Sequence, residues 1–156
     1  MVKLRGDKST LDLLNWRPET LEIARFEDEQ VRAAALSGKI AKAIRTILFD
    51  AKHRDEMPLD RGVIAEEMSQ WLEQDVTENM LSAYCSEARE KHNISLVRAV
   101  ALMAVTKDSR LLSMIADELG LAVIPKKYEG TVQEAIYLEQ KEELERRITQ
   151  LRGKRK

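Results

Sequence analysis

Residues 64–89 read IAEEMSQWLEQDVTENMLSAYCSEAR. Apolar residues recur here at three- and four-residue spacing on both sides of EQD (73–75), which predicts two short helices meeting at a tight corner. The first, VIAEEMSQWL, is expected to bury Ile64, Ala65, Met68 and Leu72. The second, TENMLSAYCSEAREKH, is expected to run over 77–92 and bury Met80, Leu81, Tyr84, Cys85 and Ala88. Asp75 and Glu78 stand three apart before this second apolar run, the spacing of a capping box with Asp75 as the cap. The same stretch carries Glu66, Glu67, Glu73, Asp75, Glu78 and Glu87, with Glu90 just beyond, against Arg89 alone.

Upstream, FEDEQVRAAAL (26–36) predicts a helix broken at Ser37-Gly38, and KIAKAIRTILFDAKHR (39–54) predicts the next. At about 100° per residue, Ile40, Ile44, Ile47, Leu48 and Ala51 share one face, and Lys39, Lys42, Arg45 and Lys52 the other. DEMPLDRG then makes a turn, with Asp60 as a cap. Downstream, Ser95 is placed to cap ISLVRAVALMAVTKD, and Asp108 or Ser109 to cap SRLLSMIADEL, which Gly120 stops. LAVIP (121–125) reads as extended, and Pro125 suits an edge strand. From Thr131 to Leu151 the pattern returns to helix. Tyr137, Leu144 and Leu151 are spaced by sevens with Ile148 between them, and Lys141 takes a matching seam position. Residues 1–20 read as weakly ordered, with a helical turn at LDLLNW and Trp16 as an anchor.

The expected architecture is therefore mainly α-helical. An N-terminal arm and helix (1–36) precede a five-helix domain (37–120), followed by a short extended segment, a C-terminal helix and a basic tail (121–156).

The net charge of −1 announces no polyanionic partner, but the charge is unevenly placed. Lys39, Lys42, Arg45, Lys52 and Arg54 face only Asp50 between 39 and 54, and Arg146, Arg147, Arg152, Lys154, Arg155 and Lys156 have no acid among them. The lone Cys85 excludes an internal disulfide and fits a reducing cytoplasm. Neither a membrane-length apolar run nor the apolar centre of a signal peptide is found, so a soluble, intracellular protein is expected.

Projected on a helical wheel, residues 78–91 place Asn79, Ser82 and Ser86 at the centre of the face opposite the apolar set, with Arg89 beside them. Asparagine bonds bidentately to adenine, serine adapts to several base edges, and arginine serves guanine or phosphate. Base contacts from the start of a recognition helix would also involve Thr77. Lys39, Lys42 and Arg45, with Lys154, Arg155 and Lys156 of the tail, are the expected phosphate contacts. An ordinary solvated helix surface and a soluble chain end would carry the same residue types. Tyr137, Leu144, Ile148 and Leu151 are the expected self-association residues, supplying by multivalency what a weakly charged module lacks.

Other chemistry finds little support. Cys85 and His92 are two potential ligands seven apart, too few for a zinc site, and His53 has no paired spacing. No glycine-rich phosphate loop occurs, and Cys85 has no positioned base. No enzyme activity, cofactor, metal or small-molecule substrate is expected.

The run from KIAKAIRTIL to IADELG resembles lambda-repressor-like helix-turn-helix domains. AAALSGKIAKAI, VIAEEMSQWLEQDVTENMLSAYCSEAREKHNISLVRAVAL and DSRLLSMIADELGLAVIPKKY are more closely similar to the small DNA-binding regulators of Mu-like transposable phages and prophages. That resemblance implies a protein in the cytoplasm of a bacterial host that binds double-stranded DNA and controls transposition, early transcription or the lysis–lysogeny choice; the homo-oligomer is expected from the weak charge and the C-terminal helix. The chain departs from the helix-turn-helix pattern at Ser69, where glycine often makes the turn, and in a first helix about one turn longer. A phage protein-interaction adaptor built on the same bundle is the alternative.

Overall fold

The computed structural model describes residues 23–86 and 93–153. The expectations for Trp16 and residues 1–20, for burial of Ala88, and for Arg89, Lys154, Arg155 and Lys156 lie outside these residues.

The chain is mainly helical, with no strand among the described residues. Its helices are α1 (Asp28–Val31), α2 (Leu36–Lys52), α3 (Arg61–Leu72), α4 (Glu78–Tyr84), α5 (Leu96–Thr106), α6 (Arg110–Glu118) and α7 (Glu129–Gly153). The interruption before α2 falls at 32–35, ahead of the expected break. Ser37 and Gly38 instead lie in the first turn of α2, where a glycine costs little because the opening amides have no partner within the helix. The Lys42 ammonium donates to the Arg32 carbonyl, satisfying one end of the interruption.

The apolar face of α2 packs as its periodicity predicts, with Ala43, Ile44, Ile47, Leu48 and Ala51 buried and Ile40 at the margin. Ile64, Ala65 and Met68 of α3 join this core, and Leu72 is partly buried against it. α3 pairs most extensively with α5. Ala99 and Ala101 keep the α5 backbone close to its neighbours, while Leu102 fills the space between. Small residues at such a crossing exchange side-chain volume for backbone proximity, and Leu102 recovers the packing.

Helix ends follow local rules in several places. Asp60 Oδ1 accepts from the Val63 amide at 3.0 Å, and Ser95 Oγ accepts from the Arg98 amide at 3.4 Å. At the start of α6 the side-chain acceptor is Asp108, whose Oδ1 takes the Arg110 amide at 3.0 Å, while Ser109 makes no side-chain cap. Gly120, at φ +68°, ends α6 in a paired arrangement: its own amide donates to Asp117 O, and the Leu121 amide to Ala116 O. This is the geometry that relieves the last carbonyls of a helix and favours glycine.

The expected edge strand at LAVIP does not form. Residues 121–125 carry no regular structure and lead into a 3₁₀ turn at Lys126–Tyr128; among the described residues no strand offers a ladder for their amides. α7 begins at Glu129, two residues before the expected start, and none of its residues is buried. No described helix is long and apolar enough to cross a membrane.

Candidate nucleic-acid interface

The corner between α3 and α4 is held by one hydroxyl. Ser69 Oγ accepts from the Val76 amide at 2.9 Å and lies 2.8 Å from Ala65 O and 3.1 Å from Val76 O. A hydroxyl has one proton, so it donates to one of these carbonyls at a time. Glu73 carries the chain out of α3 at φ 53°, and the Gln74 amide returns to Ser69 O. Val76 then drops into the core, 6% exposed. The departure from glycine at residue 69 therefore supplies a side-chain clamp, and the left-handed residue falls four positions later. Ser69→Ala is expected to destabilise the bundle by about 1–3 kcal/mol, since it leaves the Val76 amide without its acceptor. Urea denaturation of the two proteins checks this, and an unchanged midpoint would contradict the clamp.

Burial of Val76 also decides the cap of α4. The expected cap, Asp75, is exposed and precedes the buried residue; Thr77 follows it, and Thr77 Oγ1 accepts from the Met80 amide at 3.3 Å. The expected helix over 77–92 is likewise shorter in its described part. α4 ends at Tyr84, with Cys85 as its C-cap. The Arg45 guanidinium reaches 2.8 Å to Cys85 O, satisfying a carbonyl at that end.

Asn79 and Ser82 are exposed and Ser86 is half-buried; with Ala83 they line one shallow depression on the outer side of α4. Thr77 is exposed, although its hydroxyl serves the cap. The Arg61 guanidinium, from the first turn of α3, donates to Ser82 Oγ at 3.1 Å. Arg45 from α2 and Arg61 from α3 thus both reach α4. Their charge is felt at Cys85, where burial pushes the thiol up and the Arg61 and Arg45 guanidiniums pull it down. The thiol is a packed side chain, 6% exposed.

The expected phosphate-contacting trio does not act as one free face. Lys39 is paired with Glu118 of α6, Lys42 bonds the Arg32 carbonyl, and Arg45 bonds the Cys85 carbonyl. A second basic grouping was not anticipated. Arg45, Lys52, His53 and Arg61 line a cleft with Asp60 and Glu78 where the end of α2 meets the starts of α3 and α4. A Cβ at Gly62 would lie 2.9 Å from Glu78 Oε1, the far end of an exposed side chain that can swing aside, so the meeting does not depend on glycine. Arg61 had no periodic signal in the sequence; only the folded corner carries it to Ser82. Tyr137, Leu144, Ile148 and Leu151 are all exposed along α7, 47–65% of each. Among the described residues, no group of three or more His, Cys, Asp and Glu side chains could hold a metal ion.

Fold and surface together define a small helical bundle with one polar helix face presented beside two arginines. The chain belongs to the phage regulatory protein CII (CP76) family, whose model matches residues 64–142, from α3 through α6 and into α7. The comparisons with curated proteins and with solved structures gave no match.

Proposed function

We propose that this phage regulatory protein binds double-stranded DNA non-covalently, as a homo-oligomer in the bacterial cytoplasm. On this reading α3 and α4 act as a helix-turn-helix within a lambda-repressor-like bundle. Its target is a control region for early transcription or transposition, as in the Mu-like regulators it resembles, and neither a cofactor nor catalysis is involved. The observation that supports this reading best is the grouping of Asn79, Ser82 and Ser86 beside Arg61 at a pinned corner. Asn79 offers the bidentate amide, the serines adapt to neighbouring base edges, and Arg61 supplies cationic reach at the groove wall. Lys52 and His53 join Arg45 as backbone-positioning groups, with Lys39 and Lys42 farther along α2, and this reading also assigns Arg89 and the tail residues Lys154, Arg155 and Lys156 to DNA contact. The carboxylates lower affinity for a single copy, which is why several copies act together.

Binding to fragmented phage DNA at two salt concentrations tests this, with wild type and Asn79→Ala compared. Affinity should fall steeply with salt, and Asn79→Ala should lose about 1–3 kcal/mol of preference for the specific site while keeping non-specific binding. Salt-sensitive binding that Asn79→Ala leaves unchanged would move the contact to the basic groups. No binding at low salt would remove the DNA reading in favour of a protein-interaction adaptor, a reading favoured by the uncovered apolar residues of α7.

A further inference from the structure

Thr46, Thr106 and Thr149 each donate their hydroxyl proton to the carbonyl four residues earlier in their own helix, at 2.7–3.0 Å. Ser82, in the middle of α4, does not. Among the described residues its Oγ has one hydrogen bond, which it accepts from Arg61 Nη1 at 3.1 Å. A hydroxyl has one proton and two lone pairs. The guanidinium takes one lone pair, and the proton is left for a partner outside the fold. Ser82 is exposed and lines the depression that holds Asn79 and Ser86. An outside partner therefore meets that proton on the face that also presents the Asn79 amide.

Resting on the DNA reading of α4 above, we propose that Arg61 is a positioning residue that commits Ser82 to hydrogen-bond donation, and that the base read at Ser82 is a guanine. A charged donor polarises the hydroxyl it binds and strengthens the bond that the hydroxyl proton makes onward. The same cation stands close to the remaining lone pair, where an incoming amino group would bring positive hydrogens of its own. The four bases differ on this point in the major groove. Cytosine offers an amino donor, adenine an acceptor beside an amino donor, and thymine an acceptor beside a methyl group. Guanine offers two adjacent acceptors, N7 and O6. Guanine alone sets two acceptors and no amino hydrogens before a hydroxyl proton backed by a cation. The two readers on α4 then differ in kind. Asn79 carries the donor and acceptor that match adenine, and Ser82 with Arg61 behind it carries a donor only.

Selection of bound sequences from a random DNA pool by the full chain tests this, with wild type, Ser82→Ala, Arg61→Gln, the double variant and Asn79→Ala compared. The side chains of Arg61, Asn79 and Ser82 are exposed, so the variants keep the fold. Wild type is expected to enrich guanine at one position. Ser82→Ala and Arg61→Gln should each relax that same position, lowering its guanine preference about 3- to 10-fold, the range of one hydrogen bond. The double variant should lose no more there than Ser82→Ala alone, because Arg61 acts through the hydroxyl. Loss of charge at residue 61 by itself weakens binding to all sequences alike and leaves the preference at each position where it was. An Arg61→Gln chain that keeps the guanine preference, or effects that add in the double variant, would overturn the positioning role. A Ser82-dependent position that prefers another base would overturn the guanine assignment. A position that answers to Asn79→Ala while none answers to Ser82→Ala would overturn both and leave α4 in the groove. A wild type that selects no sequence, or binds no DNA at low salt, would overturn the DNA reading of α4 and this proposal with it.

Discussion

Replacing Arg110 with alanine is expected to lower the stability of the bundle by about 3–5 kcal/mol, the cost of leaving a buried carboxylate without its cation. Arg110 Nε lies 3.1 Å from both oxygens of Asp108, and its Nη2 lies 2.7 Å from Asp108 Oδ2 and 2.6 Å from Asp50 Oδ2. The Asp108 side chain is 8% exposed and that of Arg110 19%. The guanidinium also stacks over Phe26, 4.6 Å from the ring centroid. One side chain thereby ties the start of α6 to α2 and to the segment before α1. The hydrogen bond to Asp108 pushes the Arg110 pKa further up, opposed by burial, so the cation persists through any pH at which the fold is measured. Arg110→Lys keeps the charge but loses the planar fork, and should recover only part of the loss. Urea denaturation of the three proteins distinguishes these cases. A loss for Arg110→Ala of under about 1 kcal/mol, the range of an exposed ion pair, would show that Asp108 is solvated after all.

The second large effect is expected at Leu81. α4 has seven residues, well short of the roughly 12–15 at which an isolated helix becomes even marginal. Its existence depends on what it buries. Leu81 is fully buried, and Tyr84 is 7% exposed with its hydroxyl accepting from Arg98 Nη1 at 2.8 Å. Leu81→Ala removes the main apolar anchor and should cost about 2–5 kcal/mol, with Leu81→Met costing under about 1.5 kcal/mol as the volume-matched control. Because Asn79 and Ser82 ride on the same two turns, the proposed DNA binding should weaken further than Asn79→Ala alone reduces it. Thermal melting followed by circular dichroism, with binding measured well below the transition, checks both halves. A destabilised Leu81→Ala protein that binds as wild type would show that the polar face does not need an ordered α4.

Much of the bundle is legible in residue spacing because its helices announce themselves locally. The core side of α2, the trio Ile64, Ala65 and Met68, the caps at Asp60 and Ser95, and the stop at Gly120 all follow from periodicity and end chemistry. What escaped the sequence is decided by distant partners. Asp75 and Thr77 are both competent caps two residues apart, and only the burial of Val76, held by Ser69, selects the second. Arg45 looks like a solvated cation on a wheel because nothing in the spacing reveals the carbonyl of Cys85, forty residues away. Lys39 is the same case with Glu118. The candidate surface was thus readable in its central residues, Asn79, Ser82 and Ser86, while the cations around it were not. A wheel ranks side chains by direction and is blind to what waits there.

Two of the three non-glycine residues held at positive φ among the described residues have a consequence for how this chain tolerates change. Glu73 ends α3 at φ 53° and Lys107 ends α5 at φ 54°, in a region that L-residues enter at a cost of about 1–2 kcal/mol each. Glycine would enter it freely, yet at both positions the helix stops without one. The stop is imposed by the packing on either side, Val76 beyond Glu73 and the Asp108–Arg110 pair beyond Lys107. Residues 73 and 107 can therefore change identity while the two corners keep their shape, because the stop is carried by packing partners and not by the letters that stand at the corners.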